Sequence, residues 1–362
     1  MVIRMRVKDV VCRSLYEDLL CMAQSPLLKK EKERSFLITG GNGFIMYYLV
    51  LALLCLNDEY HNGNIITLMV RNKEKTLTKY GALMQRDDLR LMVQDVCTPV
   101  CANEGFDYII HAASAANAQQ FDEDPIGVFN TNVQGTENLI SLVRERGCRS
   151  MVYISSFTVY GNGTQDADSI DESFRGTEDW NSNRAAYSFG KRSAEFLCGT
   201  AWRKYSCPIR IVRPGFVYGG SAPDDNRVYS EIIRNVAEGT PITLQSAGYV
   251  FRSVVYVTDV VRGILFCLLN GENGEAYNIA NEFVSIREFA ETAAKNAASS
   301  DVILKFKNRE DETASSIKKP GGAMAIQKML ACGWKPEVSL ARGIAMSAEI
   351  YAYHYLRRND IC

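Results

Sequence analysis

The chain has 362 residues, with 41 Lys and Arg against 42 Asp and Glu, and 47% of its residues are hydrophobic. This is the composition of an ordinary globular protein, long enough for one large domain or two closely joined ones. Because the formal net charge is −1, the chain lacks the basic excess that attracts nucleic acid or an anionic membrane surface, so neither is an expected partner and any anionic ligand needs a local site.

The first predicted element lies within residues 1–34, which place Val11, Leu15 and Leu19 close to helical spacing. The same segment ends at 29–34 in a run of charges of both signs. We predict an N-terminal helical extension, 1–34, whose apolar face docks on the rest of the protein and whose charged end is a solvated linker.

From residue 35 onward, short apolar runs alternate with longer helical patterns. Strands are predicted at 36–39, 65–70, 89–93, 108–110, 151–154, 209–212 and 277–279, and helices at 44–57, 126–146, 184–205 and 258–270. Strands and helices that alternate in this way indicate an α/β fold, here a Rossmann-type doubly wound parallel sheet with helices on both faces.

The alternation loosens after Arg213-Pro214, and the chain from 284 onward is mostly helix and loop. We therefore divide the rest of the chain into a sheet domain, 35–215 with 251–283, and a smaller interleaved C-terminal lobe, 216–250 with 284–362. Ligands of open α/β sheets bind beyond the carboxyl ends of the strands. A lobe that covers this edge closes a cleft, and the chemistry is expected there.

A glycine-rich turn, Gly40-Gly41-Asn42-Gly43, stands between the first predicted strand and the helix that begins with Phe44-Ile45. Glycine allows a tight turn and a close approach of the backbone to a pyrophosphate, whose charge is stabilised by free N–H groups at the start of a helix. We predict that Gly40, Gly43, Phe44 and Ile45 bind the phosphates of a dinucleotide cofactor.

A second motif, Y-x-x-x-K, places Tyr187 and Lys191 one turn apart on the predicted helix 184–205, so that both side chains share a face. A phenol is a poor base at neutral pH, but an adjacent ammonium stabilises the phenolate and lowers its pKa. Upstream, Ser156 and Thr158 follow the strand 151–154 and add hydroxyl groups at the carboxyl edge of the sheet.

The eleven cysteines are scattered, with no C-x-x-C pair, and the three histidines lie far apart. A disulfide framework is typical of short secreted chains and a zinc site needs clustered ligands, so we predict reduced thiols and no metal. The N-terminus has no apolar block of the secretory kind, and the longest apolar run, 44–56, is shorter than the roughly 20 residues that cross a bilayer. We expect a soluble, cytoplasmic protein.

Taken together, these motifs resemble the extended short-chain dehydrogenase/reductase family, in its nucleotide-sugar epimerase/dehydratase branch. The family fingerprint is T-G-G-x-G-F-I-G, and Met46 stands in the place of its third glycine, which predicts a slightly displaced helix or small packing partners. The resemblance covers 35–345, through Asn132-Val133-Gln134-Gly135-Thr136, Arg213-Pro214-Gly215-Phe216-Val217-Tyr218-Gly219, residues 252–259, Tyr277-Asn278-Ile279 and Gly333-Trp334-Lys335-Pro336.

The resemblance implies an NAD(P)-binding Rossmann domain, 35–215 with 251–283, beneath a substrate-binding lobe, 216–250 with 284–362. It also implies a homodimer formed through the helices 126–146 and 184–205. Catalytic roles fall to Tyr187 as base, Lys191 as its partner and Ser156 as the hydroxyl that binds the reacting oxygen. Further cofactor contacts are implied for Asp95, Val96, Ala112, Ala113, Asn132, Tyr187 and Lys191.

The cofactor is expected to be NAD or NADP. An NAD-specific site usually has an acidic residue at the end of the second strand to bind the ribose 2′-hydroxyl, whereas this chain has Arg71. An arginine suits a 2′-phosphate, so Arg71 favours NADP, with an ordinary exposed strand-end arginine as the alternative.

Members of this branch mostly act on nucleotide-diphosphate sugars, and a UDP-sugar is the expected substrate. Arg252 matches the arginine that holds the substrate diphosphate, and Arg227 resembles a second arginine of the UDP-glucuronate decarboxylases. Each arginine can offer a forked, charge-assisted contact to a phosphate. The shared first step is oxidation of a sugar hydroxyl at C4, with Tyr187 taking the proton and the nicotinamide the hydride.

The residues after Ser156 favour one reaction of this branch. Phe157 and Thr158 stand where the 4,6-dehydratases have an Asp-Glu pair, and Thr158 stands where the decarboxylases have a glutamate. We therefore predict a 4-epimerase with tightly bound cofactor. In this reaction the ketone intermediate flips over within the site and receives the hydride on its other face, and Thr158 contacts the substrate. The alternatives are an NADPH-dependent 4-keto-sugar reductase, a decarboxylase-like or dehydratase-like enzyme, and a non-catalytic cofactor-sensing scaffold, which Met46 suggests.

Overall fold

A computed structural model describes residues 4–100, 105–114, 118–179, 181–307 and 321–356. The strands are β1 Ser35–Thr39, β2 Ile65–Val70, β3 Leu89–Val93, β4 Tyr108–His111, β5 Ser150–Ile154, β6 Ser169–Ile170, β7 Ile209–Pro214, β8 Phe216–Tyr218, β9 Ile242–Leu244, β10 Phe251–Tyr256, β11 Ala276–Ile279, β12 Glu282–Ser285, β13 Leu304–Phe306 and β14 Ala323–Met324. The helices are α1 Arg13–Ala23, α2 Pro26–Lys29, α3 Phe44–Tyr60, α4 Lys73–Tyr80, α5 Ala118–Glu123, α6 Pro125–Arg146, α7 Ala185–Tyr205, α8 Val228–Glu238, α9 Val257–Asn270, α10 Ile286–Lys295, α11 Gln327–Ala331 and α12 Leu340–Tyr351. Short helical turns lie at Val7–Asp9, Gly81–Gln85, Phe157–Tyr160, Thr164–Asp166 and Ala352–Leu356.

The main sheet has seven parallel strands within these ranges, in the order β11-β7-β5-β4-β1-β2-β3. Its central strands are almost wholly apolar and buried, as expected of strands covered by helices on both faces. The predicted doubly wound Rossmann-type fold is confirmed. The order reverses between β1 and β4, and the crevice at that reversal is where this class of sheet binds ligands.

Helix α3, which follows the glycine turn, is apolar on every side and almost wholly buried. A helix of this kind needs a neighbour on each face. The sheet covers one face, and the N-terminal helix α1 packs against the other, with Leu15 and Leu19 fully buried. The N-terminal residues are thereby part of the main hydrophobic core.

Buried ion pairs fasten this segment to the sheet domain. The guanidinium of Arg86 lies 2.8 Å from Asp58 and 2.8 Å from Asp88, and all three side chains are buried. Arg4 pairs with Asp88, and the backbone N–H of Val7 donates to Asp58 at 2.9 Å. A buried charge is tolerated only with such partners, so the network holds the first residues of the chain in one position.

The charged stretch 29–34 is held more closely than a solvated linker. The Glu31 carboxylate accepts a hydrogen bond from the Tyr108 hydroxyl at 2.6 Å, and its backbone carbonyl accepts one from Asn62 at 2.7 Å. Arg34 lies 3.3 Å from Glu31 and 3.7 Å from Asp107. The charged residues of this stretch thus pair with groups at the amino ends of β1 and β4. The order of residues in the sequence does not reveal these pairings.

The smaller part of the protein covers the carboxyl edge of the main sheet. Its three-stranded sheet, within the described ranges, has the order β12-β10-β8, so β10 pairs outside the main sheet although α9 and β11 return to it. Helices α8, α10 and α12 pack against one another beside it. Within the part of the chain described, no helix combines the length and hydropathy needed to cross a membrane.

Since Leu15 is fully buried in the main core, we expect Leu15→Ala to lower the free energy of unfolding by about 2–5 kcal/mol. Leu27, in α2, is 37% exposed, and Leu27→Ala should change it by only about 0.5 kcal/mol. Denaturant unfolding of both variants measures the difference. Equal effects of the two substitutions would contradict the placement of α1 in the core.

Candidate active site

The glycine turn after β1 forms a cradle open to an anion. Gly40 has a φ of +68°, and a Cβ there would lie 2.7 Å from the carbonyl oxygen of Ala112, so only glycine fits. Gly43 is the N-cap of α3 and supplies no side-chain acceptor, which leaves the N–H groups of Phe44 and Ile45 without a capping partner. A pyrophosphate fits this set of donors. The Met46 side chain points into the main core.

Thr39 joins the cofactor strand to the neighbouring strand β4. Its hydroxyl oxygen accepts the backbone N–H groups of Ala112 at 3.2 Å and Ala113 at 3.1 Å, and lies 2.8 Å from Nδ1 of His111. Nε2 of His111 lies 3.1 Å from the Thr136 hydroxyl on α6. Burial lowers the pKa of His111 to about 3, so the imidazole is neutral and acts as a bridge between β1, β4 and α6. Thr39 is the first residue of the T-G-G-x-G-F-I-G fingerprint, but the sequence assigned a role only to Ala112 and Ala113.

Arg71 and Asp95 lie next to each other at the ends of β2 and β3, with Nη1 of Arg71 3.9 Å from Oδ2 of Asp95. The Arg71 side chain is 65% exposed, so it is accessible to a ligand. Asp95 also accepts the N–H of Cys97 at 2.8 Å, which holds the turn after β3. Val96 is buried against Gly135 of α6, where a Cβ would clash with it.

Tyr187 and Lys191 lie on α7 and face the end of β5, as their spacing predicts. Nζ of Lys191 donates to the carbonyl oxygen of Ile154 at 2.7 Å and lies 5.8 Å from the centre of the Tyr187 ring. Ser156 begins the turn after β5, and its hydroxyl oxygen accepts the N–H of Thr158 at 3.2 Å. The three predicted catalytic side chains therefore meet at the carboxyl edge of the sheet.

Burial controls the acid–base behaviour of this group. It raises the pKa of Tyr187 above its ordinary value of 10, while the hydrogen bond with Ser156 acts in the opposite direction. It lowers the pKa of Lys191 to about 7, partly offset by the negative charge of Glu195 one turn further along α7. Lys191 is thus poised to change protonation state near neutral pH.

Asn132 lies behind the catalytic pair. Its side chain is fully buried; the amide nitrogen donates to the carbonyl of Val128 at 2.8 Å, and the amide oxygen accepts the Tyr153 hydroxyl at 3.4 Å. Nζ of Lys191 lies 4.8 Å from the centre of that Tyr153 ring. The amide of Asn132 thus links α6 to β5, and its Cβ faces Gly190 of α7, next to Lys191, where a Cβ would lie 3.2 Å from it.

A cleft of about 880 Å³ opens in front of Tyr187, between the sheet edge and the smaller lobe. Thr158 and Arg252 line it together with a set of aromatic side chains, Phe121, Phe157, Phe216, Tyr249, Phe251 and Phe283. The Thr158 hydroxyl is buried without a hydrogen-bond partner in the described structure, so it can serve a ligand. The Arg252 guanidinium lies 5.1 Å from the centre of the Phe216 ring and donates to the carbonyl of Phe251 at 2.8 Å.

The second predicted substrate arginine, Arg227, lies elsewhere. It forms a bidentate pair with Asp225, with a shortest distance of 2.6 Å, and its guanidinium lies 5.0 Å from the centre of the Phe44 ring. The described residues that line the cleft do not include Arg227. The structure therefore brings Arg252 to the cleft and Arg227 to the start of the cofactor helix. Nor do the described residues include a cluster of three or more His, Cys, Asp or Glu able to hold a metal.

The low pKa of Lys191 makes the stability of the folded protein depend on pH. Between about pH 7 and the ordinary lysine value of 10.5, the unfolded chain carries a proton that the folded protein lacks, so stability rises with pH across this window. Lys191→Met removes this dependence. In nucleotide-free protein we expect its melting temperature to exceed that of the wild type most at pH 7 and below, and the excess to shrink toward pH 10.

Differential scanning calorimetry from pH 6 to pH 10 measures this difference. Lys295→Met, at an exposed lysine at the end of α10, is the matched control and should show a difference from wild type that does not vary with pH. A Lys191→Met difference that is equally flat would show that Lys191 titrates at its ordinary value.

Comparisons with known proteins identify the family of this chain. A model of the NAD dependent epimerase/dehydratase family matches residues 36–280. UDP-glucuronic acid decarboxylase 6 of Arabidopsis thaliana is 31% identical over 317 residues, covering 86% of this chain and 87% of that protein. dTDP-D-glucose 4,6-dehydratase of Mus musculus is 25% identical over 333 residues, covering 88% of this chain and 89% of that protein.

Solved structures show the same fold. UDP-glucuronic acid 4-epimerase from Bacillus cereus, in complex with UDP-glucuronic acid and NAD, has a TM-score of 0.70 at 21% identity and covers 89% of this chain and 100% of its own. UDP-glucose 4-epimerase from Thermotoga maritima, with UDP-glucose, has a TM-score of 0.70 at 20% identity, covering 90% of this chain and 99% of its own. The family match and the plant relative, together with the cofactor cradle and catalytic group, show that the chain belongs to the NAD-dependent epimerase/dehydratase family.

Proposed function

We propose that this enzyme is a nucleotide-diphosphate-sugar 4-epimerase that uses bound NAD and the side chains of Ser156, Tyr187 and Lys191. One observation carries the proposal: beside Ser156, the positions that would supply an extra acid or base hold Phe157 and Thr158, and both line the cleft. Elimination of water or loss of a carboxylate needs a further ionisable group, whereas inversion at C4 needs only removal and return of a proton and a hydride.

The residues have separate tasks in this reaction. Tyr187 takes the proton of the sugar hydroxyl, and the hydroxyl of Ser156 holds the same oxygen. Lys191, fixed by the carbonyl of Ile154, places a charge beside the phenol and favours its ionised form. NAD held at the glycine loop would supply the acceptor, and later the donor, of the hydride. The unpartnered hydroxyl of Thr158 gives the sugar a hydrogen-bonding group in the cleft.

Arg252 is the proposed anchor of the substrate diphosphate. It lies in the cleft with its guanidinium stacked on Phe216 and only one hydrogen bond, to the carbonyl of Phe251, among its described contacts. Four of the five N–H donors of its guanidinium group are therefore available to phosphate oxygens. We propose a UDP-linked sugar as substrate, supported by the similar epimerases, whose structures hold UDP-glucuronic acid and UDP-glucose.

A UDP-glucuronate decarboxylase is the second candidate, favoured by the identity of 31% to the Arabidopsis enzyme and by the Asn226-Arg227-Val228 segment, which resembles a segment of that branch. Two observations weigh against it. Thr158 replaces the glutamate that this reaction uses, and the Arg227 guanidinium is engaged with Asp225 over Phe44. A 4,6-dehydratase is disfavoured for the same reason, because Phe157 and Thr158 stand where that enzyme has its acid and base, an Asp-Glu pair.

The exposed Arg71 supports our proposal that the site also accepts the 2′-phosphate of NADP, the cofactor that a 4-keto-sugar reductase would use. Its neighbour Asp95 lies 3.9 Å away and stands at the position that the family resemblance assigns to a contact with the adenine. The reductase differs from the epimerase in consuming its cofactor, so one experiment separates them.

We expect the purified protein to carry one nicotinamide cofactor and to interconvert a UDP-sugar with its C4 epimer without added reductant. Mass spectrometry of the denatured protein identifies the cofactor. Proton NMR of incubations with UDP-glucose and UDP-glucuronic acid identifies the product. Release of CO₂ from UDP-glucuronic acid would identify a decarboxylase, and turnover only with added NADPH would identify a reductase; either result would overturn the epimerase proposal.

Two variants test whether this reaction takes place at the proposed site. Tyr187→Phe should lower kcat by at least about a hundredfold and retain bound cofactor, whereas a non-catalytic scaffold has no turnover to lose. Arg252→Gln should raise KM by about tenfold or more and change kcat little, because a charge-assisted contact to phosphate contributes in the bound substrate and the transition state alike.

We also propose that the protein is a homodimer formed through α6 and α7. The proposal is supported by two large apolar side chains that these helices leave exposed, Ile126 at 73% and Phe196 at 66%. Phe196→Glu would place a charge in that interface, and light scattering should show a shift from dimer to monomer. A wild-type protein that is monomeric at micromolar concentration would contradict the proposal.

A further inference from the structure

Helix α4 lies against the outer side of the glycine loop, away from the catalytic group. Two consecutive side chains at its end reach the loop. Nζ of Lys79 donates to the carbonyl oxygens of Asn42 at 2.9 Å and Gly43 at 3.3 Å. The hydroxyl of Tyr80 donates to the carbonyl oxygen of Gly41 at 2.6 Å. The carbonyls of three successive loop residues are thus bound by two neighbouring side chains.

The start of α4 is fastened to the same loop. Asn72 caps α4 by accepting the N–H of Lys75 at 2.7 Å. The carbonyl of Asn72 accepts the side-chain amide of Asn42 at 3.3 Å. The loop is therefore tied to both ends of α4, so the helix acts as a rigid support for it.

Peptide geometry gives these bonds a consequence for the cofactor. In a trans peptide the C=O and the following N–H point in opposite directions. When the carbonyl of Gly41 points at Tyr80, the N–H of Asn42 points away from α4, and the bond from Lys79 to the Gly43 carbonyl turns the N–H of Phe44 away in the same sense. The N–H of Phe44 belongs to the cradle that fits a pyrophosphate, and the N–H of Asn42 belongs to the same loop. The N–H of Gly43 between them is donated to the carbonyl of Gly40 at 2.7 Å.

The charge of Lys79 adds to this effect. An ammonium bound to a carbonyl oxygen polarises the peptide and strengthens its N–H as a donor. The ammonium also lies 5.2 Å from the centre of the Tyr47 ring, on the first turns of α3, and Tyr47 in turn packs on Tyr80 with ring centres 5.4 Å apart. Burial, together with the nearby Lys75, lowers the pKa of Lys79 to about 8, against the opposing effect of Asp224, so at neutral pH the group is mostly charged.

We propose that Lys79 and Tyr80 are positioning residues for cofactor binding: by holding the carbonyls of Gly43 and Gly41 they keep the N–H groups of Phe44 and Asn42 aimed at the cofactor pyrophosphate. The bond from Lys79 to the Asn42 carbonyl supports the turn in which the Gly43 N–H donates to Gly40. Neither residue belongs to the sequence motifs of the site. The inference rests on NAD binding by the family and is independent of the proposed sugar reaction, since it concerns binding alone.

Isothermal calorimetry on the full-length, nucleotide-free protein tests it with three ligands: NAD, ADP-ribose and adenosine. NAD and ADP-ribose contain the pyrophosphate, and adenosine does not. Lys79→Met should weaken NAD and ADP-ribose each by about tenfold, the effect of about one charge-assisted hydrogen bond, and leave the affinity for adenosine, measured by competition, within about twofold. Tyr80→Phe should weaken the same two ligands by a smaller factor.

Lys75→Met is the matched control, because it removes the same charge from the same helix at an exposed position. It should bind all three ligands like the wild type. Lys79→Arg can donate to the same carbonyls and should therefore retain most of the wild-type affinity for NAD and ADP-ribose. This variant also tests the inference if Lys79→Met folds poorly.

Three results would overturn the inference: wild-type affinity for ADP-ribose in Lys79→Met, an equal loss in Lys75→Met, or a loss for adenosine as large as that for ADP-ribose. The first would show that the loop needs no support from α4. The second would reduce the effect to net charge, and the third would show a general distortion of the site. An inactive wild-type enzyme would leave all these binding measurements intact, so failure of the epimerase proposal is distinguishable.

Discussion

The close approach of β1 and β4 at their carboxyl ends is the constraint on which the active site depends. Gly40 turns the chain with a positive φ, and a Cβ there would also lie 2.7 Å from the carbonyl oxygen of Ala112, so only glycine fits. The hydroxyl of Thr39 then holds the backbone of Ala112 and Ala113 in place. Since the sheet order reverses between these two strands, the cofactor cradle lies on one side of β4 and the catalytic turn after β5 on the other. Both therefore face one crevice.

The packing of α6 against α7 places the acid–base group and also determines its charge. Asn132 is fully buried between α6 and β5, and His111 is buried and neutral between two threonines. Lys191 is buried beside them and shielded from solvent, and its pKa falls to about 7 for that reason. The same exclusion of water raises the pKa of Tyr187. The burial that sets these two pKa values also costs folding stability at pH 7 and below, because it removes the Lys191 charge from water.

The N-terminal segment and the cofactor cradle are mechanically linked through α3. This helix begins at the cradle, is apolar on all sides, and is covered on its outer face by α1. Buried pairs between Arg86, Asp58 and Asp88 hold the segment before α1 in position. On the adjoining side, α4 supports the loop through Lys79 and Tyr80. The N-terminus of α3, whose N–H groups suit an anion, is therefore held on two sides.

The amino-acid sequence by itself determined the alternating strands and helices, the glycine cradle and the shared face of Tyr187 and Lys191, because each depends on residues near one another in the chain. Only the tertiary structure decided which distant groups meet. It placed Arg227 over Phe44 rather than in the cleft, and carried Lys79 to the loop carbonyls. It also decided the protonation of Lys191, because a pKa depends on the water excluded by surrounding helices, which no local spacing encodes.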